Sequence, residues 1–146
     1  MPAKWQKFDI EIPDHFTPSQ RKRVADLAID QIIRRSEEGI DKEGAKFPKY
    51  SKEYINSLDF KIAGKSKAKV DLTLSGDMLA SMELLAEKKT KITIGFEKGS
   101  EENARADGNI RGTYGQSRAN SAKARDFLGL PDSVLKQIIE EVDDGN

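Results

Sequence analysis

The chain has 146 residues, 36% hydrophobic and 34% charged, with 25 basic residues balancing 25 acidic ones and no cysteine. That length suits one domain (1–146) with a single core, and the even charge argues against a dedicated nucleic-acid binder, whose basic excess gathers on one face. Without thiols there are neither disulfides nor thiolate metal sites. Residues 1–7 are charged and lack the apolar stretch of a signal peptide, and no apolar run reaches the roughly 20 residues of a membrane span. A soluble protein with no membrane partner is expected.

Phe8, Ile10 and Ile12 alternate with Asp9 and Glu11, the period of a half-buried strand, and Pro13 ends it. Thr17-Pro18-Ser19-Gln20 then supplies an N-cap threonine, a proline at the first helical position and a capping-box glutamine. A helix of about 20 residues follows, carrying Val24, Leu27, Ala28 and Ile32 with Ala25, Ile29 and Ile33 to one side, and Gly39 closes it. Residues 39–50, with two glycines and Pro48, predict a loop. Ser51 caps a short helix with Tyr54, Ile55 and Leu58 on one side, and the lysine-rich residues 61–69 predict a second loop.

Val70, Leu72 and Leu74 alternate before Ser75, which is placed to cap a helix holding Met78, Leu79 and Met82. Leu84-Leu85-Ala86 and residues 91–96 predict a β-hairpin turning through residues 87–90. Residues 97–123 contain only Ile110 and Tyr114 as large apolar groups. So little apolar surface does not offset an ordering entropy of roughly 1–2 kcal/mol per residue, which predicts a mobile loop, with one or two helical turns between Ser100 and Ala106. Phe127 and Leu128 are expected to anchor the returning chain as an edge strand. Asp132 is placed to cap a last helix with Val134, Leu135, Ile138, Ile139 and Val142 inward, whose acidic end opposes the helix dipole and either frays or meets a cation. The sum is an α+β fold: a small, mainly antiparallel sheet with a long N-terminal helix and a C-terminal helix packed on it, plus extended loops.

Candidate chemistry is sparse. His15 is the single histidine and stands in a turn; with no cysteine, no metal cluster or cofactor site is expected. An acidic nuclease site from Asp71 or Asp77 with Glu87 and Lys89 is the enzymatic alternative, although Glu-x-Lys recurs by chance in so charged a chain and such pairs mostly form solvated surface. Residues 108–115 are glycine-rich but lack the Gly-Lys-Ser/Thr of a phosphate loop and a preceding strand. Lys61, Lys65, Lys67 and Lys69 with Lys88, Lys89 and Lys91 offer a phosphate-contacting, nucleic-acid-binding alternative, without the interleaved aromatics of a base-reading surface. Arg125, between a polar stretch and Phe127-Leu128-Gly129-Leu130, fits an ordinary rim salt bridge and an interface contact equally well.

Four strings taken in order resemble the virion morphogenesis (tail completion) proteins of tailed bacteriophages. They are Gly39-Ile40-Asp41-Lys42-Glu43-Gly44 with Phe47, Tyr50-Ser51-Lys52-Glu53-Tyr54, Leu72-Thr73-Leu74-Ser75-Gly76-Asp77-Met78-Leu79, and Ala124-Arg125-Asp126-Phe127-Leu128-Gly129-Leu130. The resemblance runs from about Phe16 to Val142; the chain departs from it at Arg118-Ala119-Asn120, where similar proteins carry His-x-x-Gly. It implies a structural protein without catalytic residues, located in the virion at the head–tail neck and assembled in the host bacterial cytoplasm. Copies of the chain would form a ring, expected to be a hexamer, that contacts neighbouring neck and tail proteins and passes genomic DNA without gripping it. The interface and structural residues it implies are Gly39, Asp41, Gly44, Phe47, Tyr54, Ser75, Gly76, Arg125, Phe127 and Gly129.

Overall fold

A computed structural model describes residues 3–47, 76–111 and 125–145. In chain order these form β1 (Lys7–Glu11), α1 (Pro18–Glu37), α2 (Gly76–Ala80), β2 (Glu83–Glu87), β3 (Lys91–Gly95), α3 (Glu101–Arg111) and α4 (Asp132–Asp144). The architecture is α+β, a three-stranded antiparallel sheet in the order β1-β3-β2 with helices around it. The expected helix at Ser51 with Tyr54, the 61–69 loop, the strand through Val70, Leu72 and Leu74, and the cap at Ser75 lie outside the described residues.

The start of α1 follows the expected chemistry. Gln20 N–H donates to Thr17 Oγ1 (3.2 Å) and Thr17 N–H to Gln20 Oε1 (2.8 Å), a complete capping box. Its end is a Schellman motif: Gly39 N–H donates to Ser36 O and Ile40 N–H to Arg35 O, with Gly39 at φ 80°, where a side chain would be strained. Val24, Ala25, Ala28 and Ile32 form the buried stripe of α1 against β2 and β3. Burying Val24 and Ile32 fully is worth roughly 1.5–3 kcal/mol each.

β3 is central and buried from Ile92 to Gly95. Its register sets Ile10 opposite Ile92 and Phe8 opposite Ile94, so the apolar residues of both strands share the core face. Gly95 allows the closest approach in the sheet: a Cβ there would lie 2.6 Å from Gln6 O and 2.7 Å from Lys7 Cα. A bulge between Leu84 and Ala86 interrupts β2. Glu87 ends that strand, and Lys88 N–H donates to Lys91 O (2.8 Å) across the turn. α4 packs on α1 through Ile138 and Val142.

Several expectations need correction. The cap of α4 is Pro131, in extended conformation with no side-chain bond, and Asp132 stands in the first turn, where its charge complements the dipole. The acidic end of that helix meets the exposed His15, whose Nε2 lies 2.9 Å from Asp143 Oδ1. Met82 is buried but follows α2 instead of belonging to it. Phe127 and Leu128 are buried, yet they form no strand.

The largest correction concerns the mobile loop expected over residues 97–123, because residues 101–111 are α3. Ser100 starts it, its Oγ accepting from Asn103 N–H (3.0 Å), and Glu101, Glu102 and Arg111 match the dipole. Instead of large apolar groups, α3 buries Ala106, Asn103, Asp107 and Asn109. Each polar group is satisfied, which removes the usual penalty. Asn103 grips the extended chain before β1, accepting from Gln6 N–H (2.7 Å) and donating to Lys4 O (3.1 Å). Gln6 Nε2 donates to Asp107 Oδ1 (2.8 Å), and Arg111 clamps both carboxylate oxygens at 2.8 and 2.6 Å. Residues 112–123 lie outside the described residues.

Burial by itself would raise the pKa of the Asp107 carboxyl. The hydrogen bonds from Arg111 and Gln6, the Arg111 charge and the Lys4 N–H outweigh it and hold that pKa below the ordinary 3.8. A depressed carboxylate stabilises the fold above its ordinary pKa, and that stability is lost as pH falls through the native value. Asp107→Asn should therefore be clearly less stable than the parent at pH 7, with the gap closing as pH drops below about 4. Urea unfolding at pH 7, 5 and 3 measures it, and a gap that stays constant would refute the linkage.

Candidate functional site

The motif residues of the two chain halves meet at the C-terminal end of α1. Residues 39–47 fold into a closed loop whose organiser is Asp41. Its Oδ1 accepts from Glu43 N–H (2.9 Å) and Ala45 N–H (3.0 Å), while its own N–H donates to Ala45 O (2.7 Å). Gly44 turns at φ 91°, Ile40 bridges Lys46, and Phe47 N–H returns to Gly39 O (2.9 Å) with its ring buried. Gly-x-Asp-x-x-Gly thus has a physical reading: a helix stop, a side chain that collects loop N–H groups, and a turn.

Residues 125–130 lie against this loop. Lys42 N–H donates to Asp126 O (3.0 Å), and Lys42 Nζ pairs with Asp126 Oδ2 at 2.9 Å. Phe127 is fully buried, its ring meeting Phe96 edge to face with centroids 6.1 Å apart. Arg125 N–H donates to Asn109 O (2.6 Å), which joins the segment to α3.

Arg35, on the last turn of α1, holds the two parts together. Its Nε donates to Ile40 O (3.1 Å), Nη1 to Gly129 O (2.6 Å) and Nη2 to Phe127 O. One planar fork thus satisfies three main-chain carbonyls, one five residues along the chain and two in the remote segment 125–130, a geometry lysine cannot reproduce. Burial lowers the Arg35 pKa, and the nearby Asp41 and Asp126 carboxylates oppose that effect. The expected edge strand fails for this reason: the carbonyls of Phe127 and Gly129 are taken by a side chain rather than a neighbouring strand.

Of the implied residues, Gly39, Asp41, Gly44, Phe47, Arg125, Phe127 and Gly129 belong to this junction, while Gly76 begins α2 and Tyr54 and Ser75 lie outside the described residues. The sequence singles out Arg125, as a rim salt bridge or an interface contact, and does not mark Arg35, one of several charged residues of α1. The one available signal was its place in the last turn, beside a helix stop where main-chain carbonyls go unpaired.

The nuclease alternative gains nothing from the geometry. Asp71 lies outside the described residues, Asp77 is exposed on α2, and Glu87 pairs with Arg21 at 3.2 Å. Among the described residues no three His, Asp or Glu side chains converge as metal ligands do. No helix among them is long and apolar enough to cross a membrane. Compared with known proteins, the chain matches no family model, no curated protein and no solved structure.

Arg35→Ala leaves three carbonyls without their donor and should cost roughly 2–4 kcal/mol, with Arg35→Lys recovering only part of it. Lys42→Ala removes an ion pair whose side chains are 41% and 40% exposed, which costs about 1 kcal/mol or less. Urea unfolding midpoints of the three variants test this order, and equal losses for Arg35→Ala and Lys42→Ala would contradict it.

Proposed function

We propose that this chain is a structural virion protein of the head–tail junction of a tailed bacteriophage. In that reading it serves neck or tail completion, or tail termination, as a ring of identical copies, expected to be a hexamer, around the DNA channel. One observation supports the reading above all others. Gly39, Asp41, Gly44 and Phe47 are separated by some eighty residues from Arg125, Phe127 and Gly129, yet the two groups build one junction. Strings that resemble a family only by their order thereby acquire a common structural purpose.

The physics is compatible with a ring. Closed rings use heterologous contacts, so each copy needs two unlike faces. Among the described residues the sheet ends in two different edges, a regular β1 and a bulged β2. The balanced 25 and 25 charges suit a conduit that lets DNA slide, since every phosphate neutralised strengthens binding. Purified particles should contain the chain in a small fixed copy number. Particles made without it should accumulate as separate filled heads and tails, scored by electron microscopy and particle proteomics. Absence from particles, together with normal joining in the deletion, would end the proposal.

A further inference from the structure

The β1 edge faces a groove of about 760 Å³ between that strand and α4. The pairing parity decides what the edge offers. Ile12 N–H donates to Thr90 O and Phe96 N–H to Gln6 O, and such bonds recur at every second residue of an antiparallel strand. Phe8, Ile10 and Ile12 therefore turn their main-chain groups toward β3, as Gln6 does its carbonyl, its N–H going to Asn103. Lys7, Asp9 and Glu11 turn three N–H and three C=O groups the other way, and no described strand lies there. Across the groove, half-buried Leu135 and Ile139 overhang the edge beside Phe8 and Leu130. Ile138 and Val142 fill the core side of α4, while Leu135 and Ile139 pack at the margin of the core and stay partly exposed.

We propose that this groove binds an extended, lysine- or arginine-bearing peptide segment of another protein, which adds to β1 as a fourth strand beneath α4. This inference does not depend on the head–tail reading. A ladder of main-chain groups with no strand partner among the described residues on one wall, and apolar side chains on the other, is the chemistry of strand addition. The charge of the rim selects the occupant. Asp9, Glu11, Asp132 and Glu140 face the groove against Lys91 and Lys136, and Lys91 is already paired with Asp9 at 3.7 Å. The other sheet edge of a second copy carries Glu83 and Glu87 and would repel that rim. β1 also lacks the bulge and the proline that guard edges elsewhere. Its charged side chains Asp9 and Glu11 lie on the face opposite Phe8 and Ile10 and form the rim of the groove, while Phe8 and Ile10 lie on the apolar side beneath α4.

The probe is a fluorescein-labelled peptide, acetyl-Lys-Val-Lys-Ile-Lys-Val-amide, titrated with the full chain at physiological salt and read by fluorescence anisotropy. Its controls are the same peptide with alternate amides N-methylated and a version with glutamate in place of lysine. Binding by the unmodified peptide alone is expected. Glu11→Pro removes an outward N–H while sparing every bond to β3, and should weaken binding by about tenfold or more. Leu135→Ser should weaken it similarly, whereas Glu11→Gln, which keeps the N–H, should have a smaller effect. Hydrogen exchange of the Lys7, Asp9 and Glu11 amides should be fast in the free chain and slow in the complex. No binding, equal binding of the N-methylated peptide, or edge amides already protected in the free chain would each overturn the proposal. The last result would mean that the chain fills the groove itself.

Discussion

The Arg35 guanidinium carries a constraint that the rest of the junction obeys. It sits half-buried at the end of α1 and donates to carbonyls of residues 40, 127 and 129. Carbonyls removed from water need donors, and an irregular segment has no neighbouring strand to supply them. By meeting that need, one side chain sets where residues 125–130 run, how Phe127 reaches Phe96, and from where α4 departs. The Lys42–Asp126 pair reinforces the arrangement, but its exposure leaves it a minor contribution.

α3 shows a second way of building an interior. Its buried side is made of Asn103, Asp107, Asn109 and Ala106, a composition that resembles loop when apolar residues alone are counted. Burial succeeds because donors and acceptors match. Asn103 treats the chain at Lys4 and Gln6 as a neighbouring strand would, and Asp107 is saturated by Gln6, Arg111 and the Lys4 N–H. Such a network is demanding, since a half-satisfied version would be worse than an apolar core. It also ties the start of the chain to a helix about a hundred residues later, which keeps β1 at the edge of the sheet with its outer groups presented.

The junction and the β1–α4 groove together suggest how the small body of this protein would meet its neighbours. The junction is a corner whose main chain is held by Arg35, Asp41 and Lys42. The groove is the opposite, a ladder with no partner strand among the described residues, beside an apolar flank of α4.

Elements whose cause is local were legible in the amino-acid order alone. Thr17-Pro18 with Gln20 began α1, Gly39 ended it, alternation marked β1, and two short apolar runs around residues 87–90 marked the β2–β3 hairpin, because capping, φ preference and strand periodicity act within a few positions. The grouping of motif residues was legible as a list but not as a place. The role of Arg35, the burial of the polar side of α3, and the failure of Phe127 to pair as a strand were decided only by tertiary structure. Each depends on which remote carbonyl or amide a side chain meets, and hydrogen-bond partners nearly a hundred residues apart leave no periodic trace along the chain.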